Sequence, residues 1–134
     1  MREILLDTHI FLWMHHEPEK LSSKITTLLQ DRNVRWHISQ ISVWEIQVKY
    51  DTGKLSLSAP PGECIPDLIT HSGLAYQGLQ DSAVFMLGKL PMIHRDPFDR
   101  LLIATCIVNG WTLATQDAQI PNYPVLTLNS AKAR

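Results

Sequence analysis

Short apolar runs of strand length alternate with segments of helical spacing along nearly the whole chain, and this alternation restricts the fold more than any other feature. Ile4-Leu5-Leu6 is apolar at consecutive positions, as a strand buried on both faces must be, and it ends at Asp7. Residues 35–39 (RWHIS), 74–79, 111–115 and 125–128 read as further strands. Between them the spacing predicts a short helix from His9, broken near Pro18, and a second opening at Leu21-Ser22-Ser23 and running to about Asp31. A third runs over 41–50, with Ile41, Trp44 and Val48 on one side and Gly53 as its stop. LSLSAPPGE, 55–63, reads as a loop. Helices are then expected over 64–72, with Pro66 in the first turn and Gly73 as the stop, and over 81–89, with an Asp or Ser cap. The most regular helix is 97–109, closed by Gly110. Strands alternating with helices predict a parallel α/β sheet covered on both faces. No repeat, low-complexity tract or long linker divides the 134 residues, so one domain over 1–134 is expected.

Composition excludes little. Twelve basic against thirteen acidic side chains give a formal charge of −1, so no global basic field announces nucleic acid, though a local basic rim stays possible. Cys64 and Cys106 match no metal spacing, and Cys106 lies in the apolar block of 101–108, where a buried thiol is expected. His9, His15 and His16 have no zinc-site spacing. No segment has the length and apolarity to span a bilayer, and the run before Asp7 is too short for a signal peptide. A cytoplasmic protein with reduced thiols is the expectation. Trp13, Trp36, Trp44 and Trp111 have apolar neighbours and are expected in the core.

The acidic residues carry the chemistry. In HRDPFDRLLIATCIVNG, 94–110, Asp96 and Asp99 stand at the mouth of the apolar helix. Asp96 before Pro97 is a good N-cap, and Asp99 at the third helical position meets the positive helix end. Glu45 borders the apolar side of its helix, where an unpaired carboxylate is costly; Lys49, four residues on, is a possible partner. Asp7 or Thr8 can cap the first helix, and Asp117 after WTLAT can be a turn residue. Taken singly, each acid has a local role. Taken together, Asp7 and Asp117 both follow parallel strands, whose carboxyl ends form the ligand crevice of an open α/β sheet. Asp99 at a helix start can lie at that edge, and Glu45 borders the inward face of the helix that follows strand two; four carboxylates converging there repel one another unless a cation sits among them. An all-oxygen donor set favours Mg²⁺ or Mn²⁺ over zinc.

LLDTH, SVWEI, HRDPFDRLLIA and LATQD, in this order and spacing, resemble the PIN-domain ribonucleases, and among them the VapC-type toxins of bacterial toxin–antitoxin pairs. The resemblance extends from Ile4 to about Leu128. It implies a three-layer α/β/α sandwich around a mainly parallel sheet. It also implies a metal-dependent endoribonuclease whose acidic quartet is Asp7, Glu45, Asp99 and Asp117. Asp96 belongs to the DPFD form of the motif, as ligand, neighbour of the ligands, or cap. Thr115 takes the place of a polar residue that supports the site, and Thr8 and Arg100 flank the acids. The implied cofactor is Mg²⁺, with Mn²⁺ as a substitute, one ion or two. The implied partners are an RNA substrate and a VapB-like antitoxin. HIFLWMHH is a candidate face for that antitoxin or for a homodimer. In-line attack of water on phosphorus would leave a 5′-phosphate and a 3′-hydroxyl. Lys49, Lys54, Lys89, Arg95 and Arg100 are either phosphate contacts or solvated surface charges. His94 stands near the acids, where it either touches substrate or, the favoured reading, is a surface loop residue.

Other readings fit less well. A haloacid-dehalogenase-like phosphatase needs a second aspartate two residues after the first, and His9 stands there. A receiver-like module needs an acid pair before its first helix and a lysine near its last strand, and neither is present. A catalytically silent PIN module that binds RNA or a protein partner is the remaining alternative, opposed by the intact quartet.

Overall fold

The computed structural model describes residues 1–130. β1 (Arg2–Leu6), β2 (Val34–Ser39), β3 (Ala75–Gln77), β4 (Thr112–Thr115) and β5 (Thr127–Asn129) form one sheet in the order β3-β2-β1-β4-β5. Every neighbouring pair is parallel. The helices are α1 (Thr8–His16), α2 (Ser23–Leu29), α3 (Gln40–Asp51), α4 (Pro61–His71), α5 (Asp81–Met86) and α6 (Pro97–Asn109).

The pleat of β1 explains the three layers. It sends Ile4 and Leu6 to one face and Leu5 to the other. On the first face Ile4, Leu6, Ile38 and Ala114 meet Ile10 and Phe11 of α1, Ile25 of α2 and Ile65 of α4. On the second, Leu5 and Leu113 meet Leu102, Ile103 and Cys106 of α6 and Ala83 of α5. Each fully buried Leu, Ile or Phe of these layers contributes about 1.5–3 kcal/mol. α3 gives Ile46 to one layer and Ile41 to the other, so it straddles the end of β2. Ser39 both ends β2 and caps α3, its hydroxyl accepting from the Ile41 amide at 3.0 Å. Strand order reverses at β1/β4: the chain moves outward through β2 and β3 on one side and through β5 on the other. The crevice of such a sheet opens at the carboxyl ends of those two strands.

α6 is built to be rigid. Asp96 caps it, accepting at Oδ1 from the amides of Phe98 (2.8 Å) and Asp99 (3.3 Å), and Pro97 fills the first position. Leu101 to Cys106 are all buried. Gly110 adopts φ 71° to end the helix, with the Trp111 amide donating to the Cys106 carbonyl at 2.9 Å. Burial pushes the Cys106 thiol up, and Cys64 and Cys106 are both free. No helix among the described residues is long and apolar enough to cross a membrane.

Four local expectations need correction. α4 starts at Pro61 and not at Cys64, because Pro61 occupies the first helical position; Pro66 therefore lies inside the helix. The helix expected over 81–89 ends at Met86 and tightens into a 3₁₀ turn over Leu87–Lys89. Its N-cap is Gln80, with no side-chain bond, and not an Asp or Ser. Finally, α3 is rotated from its expected orientation. Its buried stripe is Ile41, Ser42, Glu45 and Ile46, while Trp44 is 53% and Val48 37% exposed. Trp36 is buried as expected, and Trp13 and Trp111 are half-buried.

Candidate active site

Asp7 leaves β1 at the sheet edge and begins α1 without capping it. Its carboxylate is 2% exposed. Oδ2 accepts from the Thr115 hydroxyl at 2.6 Å, while Oδ1 is buried with no hydrogen-bond partner. Burial raises the Asp7 pKa, opposed by the Thr115 hydrogen bond. The register pairs Leu6 with Ala114, which sets the next residues, Asp7 and Thr115, side by side. Thr115 Oγ1 also accepts from the Asp117 amide at 3.1 Å, so one hydroxyl serves two acids.

Glu45 is 1% exposed on the buried stripe of α3. Thr8 Oγ1 lies 2.6 Å from its Oε1 and 2.8 Å from Ser42 Oγ. A threonine hydroxyl has one proton, which goes to the carboxylate, so Ser42 donates to Thr8. Thr8 therefore holds Glu45 rather than capping α1. Glu45 Oε2 accepts from Lys49 Nζ. Burial pulls the Lys49 pKa down, but the Glu45 hydrogen bond and the charges of Glu45, Asp96 and Asp99 overcome it and raise it.

Asp99 occupies the centre. Its pKa is pushed up to about 8, first by burial and then by the charges of Asp7, Asp96, Glu45 and Asp117. All five acids thus share one electrostatic cluster. His94 enters it from the loop before α6. Its Nε2 lies 3.1 Å from Asp99 Oδ2 and 2.8 Å from Asp117 Oδ2. His94 Nδ1 accepts from the Asp96 amide at 3.1 Å. A backbone amide can only donate, so Nδ1 is bare and Nε2 carries the proton. His94, Asp99 and Asp117 place ligand atoms within 4.8 Å of one another, but that tautomer makes His94 a donor to the acids, not a metal ligand. The remaining Asp117 oxygen accepts from the Gln119 amide at 2.8 Å.

The expected site residues separate accordingly. Asp7, Thr8, Glu45, Asp99, Thr115 and Asp117 come together. Asp96 lies beside them, with Oδ1 engaged as a helix cap. Arg100 turns away: its Nη2 donates to the carbonyls of Leu87 (3.3 Å) and Leu90 (3.5 Å), bracing α6 against the 3₁₀ turn. Lys54, Lys89 and Arg95 are exposed. His94 is half-buried within the cluster, which corrects its reading as a surface loop residue. Ser42 and Tyr123 were not anticipated. The Tyr123 hydroxyl accepts from the amides of Ile93 (3.2 Å) and His94 (2.6 Å) and so fixes the loop. Ser42 was legible in principle, three residues before Glu45 on the same stripe; Tyr123 has no local signal.

Asp96→Asn is expected to leave stability and RNA cleavage near wild type, since Asn caps as well as Asp, whereas Asp96→Ala costs about 1 kcal/mol. Thermal unfolding and cleavage of both variants check this. A folded but inactive Asp96→Asn protein would place the second carboxylate oxygen in the reaction.

A parallel sheet with carboxylates gathered beyond its switch point defines an α/β protein with an acidic ligand crevice. The chain belongs to the PIN domain family, whose model matches residues 4–126. It is 27% identical over 124 residues to Ribonuclease VapC22 of Mycobacterium tuberculosis, covering 92% of this chain and 93% of the relative. Its fold is that of the chain in the crystal structure of VapBC2 from Rickettsia felis bound to a DNA fragment from their promoter. That likeness has TM-score 0.72 and 20% identity, over 96% of this chain and 98% of the other. FitAcB from Neisseria gonorrhoeae is similar over 94% and 96% of the two chains, with TM-score 0.64 and 17% identity.

Proposed function

We propose that the protein is a Mg²⁺- or Mn²⁺-dependent endoribonuclease, acting as the toxin of a VapB–VapC-type pair. The observation that carries this reading is Asp7 Oδ1, a buried carboxylate oxygen with no donor, inside a cluster of five acids. Such an atom costs about 1–3 kcal/mol unless something else satisfies it. The donor set fits a hard cation: carboxylate oxygens from Asp7, Glu45, Asp99 and Asp117, with no thiolate and no available imidazole lone pair. These four residues would hold the ion. When bound, it polarises phosphoryl oxygens and lowers the pKa of water at the site.

The chain's own groups do the positioning. Thr115 holds Asp7, and Ser42 and Thr8 hold Glu45. His94 joins Asp99 to Asp117. Lys49, 30% exposed at its side chain, brings a positive charge to the rim where a phosphodiester would approach. The family, the ribonuclease relative and the VapBC neighbours support RNA as substrate and an antitoxin as partner. A homodimer in the cytoplasm completes the reading.

The test is cleavage of total RNA by purified, antitoxin-free protein with Mg²⁺, with Mn²⁺ and with EDTA, beside Asp7→Asn. Cleavage that needs the cation, leaves 5′-phosphates and disappears in the variant is expected. Absence of cleavage by the folded wild type, or cleavage that survives EDTA, overturns the reading.

A further inference from the structure

Trp44 lies on the outward side of α3 with Gln40, Gln47 and Val48 and is 53% exposed, while Glu45 beside it in sequence is buried. Trp44 immediately precedes Glu45, and Phe98 immediately precedes Asp99. The two rings meet edge to face, centroids 5.0 Å apart and planes at 86°. Two separate elements therefore each set an aromatic next to an acid of the cluster, and the aromatics close on each other. Phe98 is half-buried against the α6 layer and anchors the pair. An edge-to-face contact fixes the indole while leaving ring surface free. Beside Trp44 opens a cavity of about 200 Å³ lined by Gln40, Ile41, Trp44 and Leu79. Gln40 Oε1 is taken by the Leu79 amide at 3.2 Å, which leaves its NH₂ group as a donor.

We propose that Trp44, backed by Phe98, is a stacking platform for an unpaired nucleobase of the RNA, next to the scissile phosphate, with the adjoining cavity receiving the edge of that base. The proposal rests on the ribonuclease reading and names how its site engages single-stranded substrate. Proteins recognise single-stranded RNA by stacking splayed bases on aromatic rings. Trp44 and Phe98 each adjoin an acid of the cluster in sequence, so the base of a nucleotide whose phosphate lies at the acids would come within reach of the indole. A protein interface asks for about 800 Å² on each partner, whereas a base needs one ring face and a small pocket. Base–aromatic stacking is worth about 1–3 kcal/mol per base, which converts to about 5- to 150-fold in affinity.

The experiment uses the full chain carrying Asp99→Asn, so that RNA is bound without being cut. Binding of a labelled unstructured RNA oligonucleotide is followed by anisotropy, with Trp44, Trp44→Phe and Trp44→Ala. Trp44→Ala is expected to weaken binding about ten-fold and Trp44→Phe to restore most of it. In the cleaving protein, Trp44→Ala raises KM about ten-fold with kcat changed by less than about three-fold. Unchanged affinity and KM overturn the proposal while leaving the nuclease reading intact. An altered oligomeric state or lost antitoxin binding, with RNA affinity unchanged, also overturns it and makes Trp44 a protein contact. RNA binding that depends on Trp44 in a protein that never cleaves sustains the platform and removes the nuclease.

Discussion

Asp99→Asn is expected to abolish RNA cleavage and, at the same time, to raise the melting temperature of the cation-free protein. Cleavage should fall by about 10³-fold, the scale of losing one group that stabilises charge in a transition state. The gain in stability follows from the crowding of acids. Burial and four neighbouring carboxylates push the Asp99 pKa from 3.8 up to about 8. An acid whose folded pKa lies above its unfolded value lowers stability as pH rises through that interval, because the folded state then binds more protons. Within the interval, each rise of one in pH costs the folded state about 1.36 kcal/mol. Relief of the repulsion by a neutral amide, reduced by solvent at the mouth of the site, should come to about 1–3 kcal/mol, several degrees in Tm. Unfolding in EDTA checks the sign. The gap between wild type and variant should be widest near pH 8 and close towards 3.8. Excess Mg²⁺ should raise Tm of the wild type and not of the variant, since only the wild type gains a ligand that binds the folded state. An Asp99→Asn protein that cleaves RNA would remove Asp99 from its assigned role.

How much of this was legible depends on whether the signal was local. The α/β alternation was legible because β1 holds a compact apolar run and α3, α4 and α6 are closely followed by Gly53, Gly73 and Gly110. The convergence of Asp7, Asp99 and Asp117 was legible because parallel topology sends strand ends and helix starts to one edge. Trp44 was misplaced because α3 spans both layers. A helix that buries Ser42 and Glu45 turns its largest aromatic outward, and apolar periodicity reads such a helix as rotated. His94 was misplaced for a different reason: its partner Asp117 is 23 residues away, and its loop is fixed by Tyr123, 29 residues away. No window of sequence contains that geometry. Arg100 has a charge suited to phosphate, but the carbonyls of an unanticipated 3₁₀ turn capture it. Asp7 and Asp96 show the limit most clearly. An N-cap and a cluster acid leave the same mark in sequence, and only the hydrogen bonds separate them: Asp96 caps its helix and Asp7 does not.

Thr115→Val should damage both the fold and the site, and its size shows how far the sheet itself builds the centre. Thr115 is 2% exposed, and its hydroxyl donates to Asp7 Oδ2 and accepts from the Asp117 amide. Valine keeps the shape but removes both bonds. Asp7 Oδ1 already has no partner, so the substitution removes the hydroxyl donor from the other oxygen of a buried carboxyl group. That is expected to cost about 1–3 kcal/mol in urea or thermal unfolding. Loss of a group that orients a ligand typically reduces activity or metal affinity by about 10- to 100-fold. The same fall is expected in RNA cleavage and in Mn²⁺ affinity measured by calorimetry. Thr115→Ser restores the hydroxyl and should recover cleavage to within about three-fold, at the small cost of a missing methyl group. Wild-type stability and cleavage in Thr115→Val would show that Asp7 is held by something other than this bond. The contact spans 108 residues of sequence, yet it needs only the pairing of Leu6 with Ala114 to form. Pairing β1 with β4 is therefore enough to bring Asp7, Thr115 and Asp117 together, and this part of the acidic centre is assembled by the same hydrogen bonds that join the sheet at its switch point, to which α3 adds Glu45 and α6 adds Asp99.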